Sequence, residues 1–330
     1  MSPSEILATN LLSPVVLAFA LGVTATLIRS DLEFPEPLYQ ALSIYLLLAI
    51  GLKGGVALSQ TPLAEFVGPA LATVFLGLLT PVIAFVVLIA VLRMDRINAG
   101  ALAAHYGSVS AVTFLASIAF GEATGQAAEG FMPALVALLE VPAIVVGLVL
   151  ARMGMAPAQE GEGSEGGVAW SAALHEVLTG RSVVLLVGGL VMGWIAGPER
   201  MESVEPFFVA GFQGALTLFL LEMGLVAARR LRDLRETGFM LVAFGTVIPL
   251  VHGALGVWGG VLSGLSVGGA AVLGTMVASA SYIAAPAAVR IALPEAKPSL
   301  YLTSSLGITF PFNLVLGIPV YFALARMIGG

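Results

Sequence analysis

The chain has 330 residues, of which 58% are hydrophobic and only 10% are charged. Ordinary soluble domains carry roughly 25% charged residues, so this composition excludes soluble globular, disordered and nucleic-acid-binding proteins. The net charge of −6 is modest, and the absence of cysteine excludes disulfides and thiolate metal sites.

Hydropathy predicts an all-α, polytopic membrane protein with about ten spans, because roughly 20 apolar residues are needed to cross a hydrocarbon core about 30 Å thick. The 39 glycines and 18 prolines are typical of transporters, whose helices pack closely or are interrupted. The predicted spans cover 11–29, 38–58, 64–92, 97–120, 130–152, 181–196, 206–228, 237–262, 268–290 and 299–328.

Basic residues are distributed unevenly between the two sets of loops. Eleven of them follow odd-numbered spans, whereas Lys53, Arg200 and Arg326 lie on the other side. The positive-inside rule therefore predicts cytoplasmic odd-numbered loops and both termini outside. The N-terminus lacks the basic region of a cleavable signal peptide, so the first span is expected to be retained.

A Gly/Glu-rich stretch divides the chain into two halves. Residues 153–178 are expected to form a cytoplasmic linker, flexible over 153–168, between spans 1–5 (residues 1–152) and spans 6–10 (residues 179–330). Five spans per half predict an inverted repeat. Three pairs of strings support it: Leu79-Thr-Pro-Val-Ile83 with Val247-Ile-Pro-Leu-Val251, Ser108-Val-Ser110 with Ser279-Ala-Ser281, and Leu139-Glu-Val-Pro142 with Ile308-Thr-Phe-Pro311.

The fourth and ninth spans each contain a Ser-x-Ser sequence near their predicted middle. Ser108 follows Arg96 by about twelve residues, or about 18 Å of helix. Serine is a good N-cap and Gly107 permits a break, so we expect each span to be two half-helices that cross at the midplane and share one cavity. Unpaired N–H groups at the new N-termini could bind an anion. Alternatively, the serines bond to carbonyls one turn back on unbroken helices.

Few polar groups within the spans could bind a cation. Glu140 offers a carboxylate in the fifth span, Thr309 occupies the corresponding place in the tenth, and Asn313 lies one turn further on. With Ser108 and Ser281, they form an oxygen-rich set that suits a hard cation such as Na⁺. A structural hydrogen bond to a neighbouring helix is an equally good interpretation of Glu140.

Three further polar residues have open roles. Lys53 is expected to extend its ammonium to the membrane interface, with a substrate or gating role as the alternative. His105 and His252 could relay protons, although hydrogen-bonded histidines at helix interfaces are commoner. No P-loop occurs, so an ATP-driven pump is not predicted. No enzymatic activity is expected, and a membrane serine hydrolase that uses Ser108 and His105 is the least favoured alternative.

Five strings in the sequence resemble the sodium-dependent bicarbonate transporters of the cyanobacterial SbtA type. They are Ser30-Asp-Leu-Glu-Phe-Pro-Glu-Pro37, Tyr45-Leu-Leu-Leu-Ala-Ile-Gly-Leu-Lys-Gly-Gly55, Ala104-His-Tyr-Gly-Ser-Val-Ser-Ala-Val-Thr-Phe114, Leu293-Pro-Glu-Ala-Lys-Pro-Ser-Leu-Tyr301 and Gly307-Ile-Thr-Phe-Pro-Phe-Asn313. The resemblance implies a ten-helix inverted-repeat carrier with a gate domain and a core domain, trimeric in the bacterial inner membrane. It also implies Na⁺-driven symport of bicarbonate, with Na⁺ as the co-transported ion and no organic cofactor.

The resemblance also implies which residues bind the substrate. They are Tyr106, Gly107, Ser108, Ser110 and Thr113 in the first half, and Ser279, Ser281, Tyr282, Thr309 and Phe310 in the second. Family members are regulated by a cytoplasmic PII-type protein, a partnership that the short linker of this chain leaves open. A sodium-coupled carrier of another small anion and a passive anion channel or facilitator are the alternative functions.

Overall fold

The computed structural model describes residues 8, 10–153, 165–231 and 238–330, and these residues form helices and no β-strand. The predicted all-α class is therefore confirmed for the described chain. The helices are α1 (Pro14–Leu27), α2 (Glu36–Gln60), α3 (Leu63–Ala90), α4 (Arg96–Gly107), α5 (Ala111–Ala123), α6 (Met132–Arg152), α7 (Glu165–Thr179), α8 (Arg181–Met201), α9 (Phe212–Leu231), α10 (Phe239–Leu262), α11 (Val267–Ala278), α12 (Ala284–Ala292) and α13 (Pro298–Gly329).

Eight helical segments of the described chain are long and apolar enough to cross a membrane. The pair α4 and α5 counts as one of them, while α1 and α11 are shorter apolar helices. Such segments are those of a multi-pass membrane protein. A total of ten spans requires that α1 and the ninth span, which includes α11, also cross the membrane. The total of ten therefore stays a prediction.

The segment predicted to be a linker contains a helix. Residues 154–164, with most of the Gly/Glu-rich run, lie outside the described residues, but α7 packs against α12 and contacts α6 and α8. Ala173 and Val177, four residues apart on α7, are buried. Helix α7 therefore occupies the second half of the predicted linker, and the division of the chain by a cytoplasmic linker stays a prediction.

The helices form two groups, and each group combines both halves of the chain. In the four-helix group, α1 packs along α9 and α2 packs along α8. In the core group, α3, α4 and α6 pack together, α10, α11 and α13 pack together, and α3 contacts α10. The first span of each half thus contacts the second span of the other half, as a twofold relation between the halves would require.

Glycine allows the close helix contacts of the four-helix group. A Cβ atom at Gly55 of α2 would lie 2.1 Å from the carbonyl oxygen of Leu190 in α8. A Cβ atom at Gly224 of α9 would lie 2.1 Å from the carbonyl oxygen of Phe19 in α1. Small residues let membrane helices approach until their backbones touch, which explains part of the high glycine content.

The fourth and ninth spans are both interrupted after a 12-residue helix. In the fourth span, α4 ends before Ser108 and α5 begins after Ser110; in the ninth, α11 ends before Ser279 and α12 begins at Ala284. The backbone is extended at Ser108 (φ −88°, ψ 167°) and at Ser279 (φ −80°, ψ 167°). Both spans are therefore broken at the predicted Ser-x-Ser sequences.

The N-terminus of each half-helix is held by a residue from the opposite half. Asp95 is the N-cap of α4, and Ser266 is the N-cap of α11. Asn98 of α4 accepts the N–H of Lys297 at 2.8 Å, while Glu129 accepts the N–H of Ser266 at 2.6 Å. Burial raises the pKa of Asp95, but hydrogen bonds from Asn98 outweigh burial and keep that pKa below its ordinary value.

Candidate functional site

The two interruptions are hydrogen-bonded to each other. The N–H of Ser110 donates to Oγ of Ser279 at 2.8 Å, and the N–H of Ser281 donates to the carbonyl oxygen of His105 at 2.8 Å. Each bond therefore joins one half of the chain to the other. These three serines and Ser108 are at most 3% exposed, so both interruptions lie inside the protein.

Ser110 caps the helix that follows the first interruption. Its Oγ accepts the N–H of Thr113 at 3.2 Å and the Thr113 hydroxyl at 3.0 Å. In the same turn, the N–H groups of Ala111 and Val112 have no acceptor at hydrogen-bonding geometry among the described residues. Unpaired N–H groups at a helix N-terminus carry partial positive charge, so this turn can hold an anion.

The second interruption is longer and more weakly capped. Ser281 Oγ accepts the N–H of Ala285 at 3.3 Å, and Ile283, which precedes α12, provides no side-chain cap. Ser279 Oγ also donates to the carbonyl oxygen of Met276 at 2.7 Å, one turn back in α11. The hydroxyl of Ser279 therefore closes the end of α11 and accepts the bond from Ser110.

Tyr282 and Phe310, which are predicted site residues, are in contact with each other. Their ring centroids are 5.6 Å apart in an edge-to-face arrangement, and Phe310 makes a similar contact with Phe19 of α1 at 5.5 Å. The Tyr282 hydroxyl is buried near the Ser110 side chain and has no partner at full hydrogen-bonding geometry among the described residues. A buried hydroxyl without a partner carries a desolvation cost, so this group is available to a ligand.

Gly107 is needed for packing rather than for a special backbone conformation. Its φ is not positive, and a Cβ atom there would lie 2.6 Å from Pro81 of α3 and 2.9 Å from Ala143 of α6. The interpretation that Gly107 permits the break through its conformational freedom is therefore corrected. The close approach of α3 and α6 to the last turn of α4 is what requires glycine.

Tyr106 and Thr309 belong to a hydrogen-bonded chain whose direction can be assigned. Thr309 Oγ1 must donate to the carbonyl oxygen of Gly245, at 2.7 Å, because a carbonyl only accepts. Tyr106 then donates to Thr309 at 2.7 Å, and Ser304 donates to Tyr106 at 2.5 Å. Since Pro249 lacks the N–H that would bond to the Gly245 carbonyl within α10, Thr309 satisfies the carbonyl that the proline leaves free.

The carboxylate of Glu140 contacts a helix of the four-helix group. Ser182 of α8 donates to Glu140 Oε1 at 3.0 Å. The Glu140 atom beside the first interruption is its main-chain carbonyl oxygen, which accepts the hydroxyl of Ser108 at 3.3 Å. The structural hydrogen bond considered from the sequence is present, and the role of Glu140 as a Na⁺ ligand stays a prediction.

Asn313 lies at the C-terminal end of α11. Its Nδ2 donates to the carbonyl oxygen of Ala278 at 2.9 Å, and its Oδ1 accepts the hydroxyl of Tyr321 at 3.0 Å. Asn313 thereby satisfies a carbonyl that the end of α11 leaves without a helical partner. Tyr321 and Ser304, which bond to Asn313 and Tyr106, were not identified from the sequence. Their one sequence signal is that each is a polar residue within an apolar span.

His105 and His252 are fully buried and lie near the interruptions. Nδ1 of His105 is 2.7 Å from the carbonyl oxygen of Ala101, and its ring stacks on Tyr301 with a centroid distance of 4.5 Å. His105 Nε2 and both ring nitrogens of His252 have no partner at full hydrogen-bonding geometry among the described residues, although the His252 ring lies near the Tyr106 backbone. Ser108 is not bonded to His105, so the pair that a hydrolase would need is not formed.

Two cavities lie where the core group meets the four-helix group, on opposite sides of α5. One, of about 240 Å³, is bounded by α1, α5 and α9, and the other, of about 260 Å³, by α2, α5, α9 and the segment before α6. Neither cavity is lined by the serines of the interruptions. The two interruptions are hydrogen-bonded directly to each other, and the shared cavity expected between them stays a prediction.

The described residues contain no group of three or more His, Cys, Asp or Glu side chains that could hold a metal ion. A cation near the interruptions would therefore rely on hydroxyl and carbonyl oxygens, which are the ligands that a hard monovalent cation accepts. The hydroxyls of Ser108 and Ser281 and the carbonyl oxygen of Glu140 are of this kind.

A sequence model of the Na⁺-dependent bicarbonate transporter superfamily matches residues 14–326. The match spans both helix groups and both interruptions. No curated protein matches the chain. Because the family model covers nearly the whole sequence, this chain belongs to the Na⁺-dependent bicarbonate transporter superfamily.

Proposed function

We propose that this protein is a secondary transporter that couples inward movement of Na⁺ to uptake of bicarbonate. One observation carries the proposal: in a chain of this family, two interrupted helices are hydrogen-bonded to each other through Ser110 with Ser279 and Ser281 with His105. Transporters bind ions where discontinuous helices present unpaired backbone groups inside the membrane.

The anion site of the proposal is the first turn of α5. Bicarbonate would accept hydrogen bonds from the N–H groups of Ala111 and Val112 and from the hydroxyls of Ser108 and Ser110. The Tyr282 hydroxyl, which is buried with no partner at full hydrogen-bonding geometry among the described residues, is a further donor. No arginine or lysine is needed there, because the helix N-terminus supplies the equivalent of about half a positive charge.

The cation site of the proposal uses oxygen atoms beside the same serines. The hydroxyls of Ser108 and Ser281 and the main-chain carbonyl of Glu140 are the first candidates. Thr309 and Asn313 already have partners on α10 and α11, so as ligands they would keep or exchange those bonds. A bound Na⁺ would offset the charge of the anion, and each ion would then raise the affinity for the other.

The proposed transport cycle moves the core group against the four-helix group. The pairing of α1 with α9 and of α2 with α8, together with the matching 12-residue half-helices, supports an inverted repeat and alternating access. The proposal includes the ten-span topology with both termini outside the bacterial inner membrane. A homotrimer and a PII-type cytoplasmic regulator stay predictions from the family resemblance.

The test is uptake of radiolabelled bicarbonate into proteoliposomes with an inward Na⁺ gradient. The proposal predicts accumulation that disappears when K⁺ replaces Na⁺ on both sides. Uptake of similar size without Na⁺ would instead indicate a passive channel. Na⁺-dependent uptake of sulfate or a small carboxylate in preference to bicarbonate would indicate a carrier of another anion.

A further inference from the structure

The larger cavity beside α5 extends from the protein surface toward the first interruption. At its open end lie the exposed residues Glu122 and Ala127, and at its inner end lies Phe114, which is 1% exposed. Phe114 follows Thr113, the residue whose N–H and hydroxyl bond to Ser110. The cavity therefore reaches Phe114, which lies one helical turn from the proposed anion site.

Lys53 is the basic residue that lines this cavity. It lies seven residues before the end of α2 at Gln60, or about 10 Å inward along the helix, and its side chain is half-buried. The ammonium lies 5.7 Å from the ring centre of Phe212 in α9, and no carboxylate of the described residues lies within 4 Å of it. Its charge is therefore held inside the cavity by a cation–π contact, without a counter-ion.

Two carboxylates, Glu122 and Glu129, also line the cavity, and the surroundings of each reduce the effect of its negative charge. Glu129 Oε1 accepts the N–H of Ser266 at the N-terminus of α11, where the helix dipole offsets negative charge, while its Oε2 is buried with no hydrogen-bond partner among the described residues. Glu122 is exposed at the mouth, 3.4 Å from the side-chain amide of Gln213, where water and salt screen it. Among the described residues that line the cavity, Lys53 is therefore the charged group that has neither a helix terminus beside it nor full exposure to solvent.

We propose that this cavity is a vestibule for small oxyanions, with the Lys53 ammonium as the group that attracts them and Phe114 as the side chain that separates the vestibule from the interruptions. A partly desolvated charge in a cleft raises the local concentration of the opposite ion by about tenfold or more. The inference rests on the proposed function, because it identifies the route by which the transported anion would reach the first turn of α5.

The absence of cysteine allows a test that does not require transport. Ala127→Cys places one thiol in the vestibule, and its reaction rates with an anionic and a cationic methanethiosulfonate of similar size report the local potential. Adding Lys53→Met is expected to lower the anionic-to-cationic rate ratio by about tenfold, whereas Lys53→Arg should leave the ratio within about twofold. Ala123→Cys is the matched control, since Ala123 is on α5 but lines the other cavity, which contains no basic residue.

A rate ratio at Ala127→Cys that is unchanged by Lys53→Met would overturn the vestibule, and so would an equal change at Ala123→Cys. Lys53→Met should also raise the KM for bicarbonate by about tenfold while leaving the maximal uptake rate and the KM for Na⁺ nearly unchanged. If the thiol ratio shifts as expected but the wild-type protein shows no Na⁺-dependent uptake, the proposed function fails and the anion vestibule stands.

Discussion

The two interruptions have the same backbone at their first serine but different structures after it. The first passes directly from Ser110 into α5, and Ser110 caps that helix through two bonds from Thr113. The second runs on to Ile283 before α12 begins, and among the described residues its one side-chain hydrogen bond to the new helix is the long bond between Ser281 and Ala285. The first interruption thus ends in a helix N-terminus capped by a side chain, whereas the second is longer and has a single weak bond to the helix that follows it.

This difference assigns unequal roles to the two halves. A capped N-terminus with free N–H groups suits a fixed anion contact, because the donors are already oriented. The longer second segment, with a single weak bond to α12, leaves more room for rearrangement, while the proposed cation ligands come from both halves. The bonds that join the interruptions, from Ser110 to Ser279 and from Ser281 to His105, would make the two sites respond together.

The largest expected effect is on the first interruption. Ser108→Ala combined with Ser110→Ala should lower Na⁺-driven bicarbonate uptake by on the order of 100-fold or more, because each hydrogen bond to a charged ligand contributes about 1.5–3 kcal/mol. The lost cap costs only about 1 kcal/mol of stability, so the folded yield in detergent should be retained. Ser117→Ala, which alters a buried serine on the same helix, is the control and should transport normally. Normal uptake by the double variant would show that the anion binds elsewhere.

The next largest effect is on stability, when the Thr309 hydroxyl is removed. Thr309 occupies the position in the second half that Glu140 occupies in the first. Thr309→Val should destabilise the protein by about 2–4 kcal/mol, because the Gly245 carbonyl and the Tyr106 hydroxyl would both lose a buried partner. Thr309→Ser keeps the hydroxyl and should restore most of this stability. Thermal unfolding of the purified protein in detergent measures both variants. Equal melting temperatures for the valine and serine variants would contradict the assigned chain of donors.

A smaller loss of stability is expected when either serine of the second interruption is replaced, and the loss should differ between the two. Ser279→Ala leaves the Ser110 N–H buried without an acceptor and should cost about 1–3 kcal/mol. Ser281→Ala removes a single weak bond at 3.3 Å and should cost less than about 1 kcal/mol. Thermal unfolding in detergent compares the two variants. A larger loss of stability in the Ser281 variant would contradict the stronger role given to the bond between Ser110 and Ser279.

The smallest effect is expected at Glu140. Glu140→Gln keeps an acceptor for Ser182 and leaves unchanged the main-chain carbonyl that contacts Ser108. The KM for Na⁺ should therefore stay within about twofold, since the atom proposed to face Na⁺ is the carbonyl. Uptake at varied Na⁺ concentration measures this constant. A rise of about tenfold or more would show instead that the carboxylate is a Na⁺ ligand.

The sequence predicted the broken spans because their cause is local. A Ser-x-Ser sequence with capping residues in a buried helix carries the signal for an interruption, and both breaks are at the predicted positions. Helix α7 was missed because it is shorter than a membrane span and directly follows a Gly/Glu-rich run. Its buried positions, Ala173 and Val177, depend on contact with α12, which is distant in sequence.

The partners of the polar side chains could not be predicted from the sequence for a similar reason. Thr309 satisfies a carbonyl left free by Pro249, and Asn313 satisfies the end of α11. Both bonds depend on which helices meet in the core group. The reason for Gly107 was also wrong at the sequence level, because the contact that excludes a Cβ atom comes from Pro81 and Ala143 on other helices.

The central claim is that the paired interruptions bind the anion and Na⁺ together. The most direct measurement is calorimetric titration of the purified protein with bicarbonate at fixed pH, in Na⁺ and then in K⁺. We expect the Kd for bicarbonate to be at least about tenfold lower in Na⁺ and binding to be lost in the variant with Ser108→Ala and Ser110→Ala. Equal affinity in the two salts, or unchanged binding by that variant, would contradict the account.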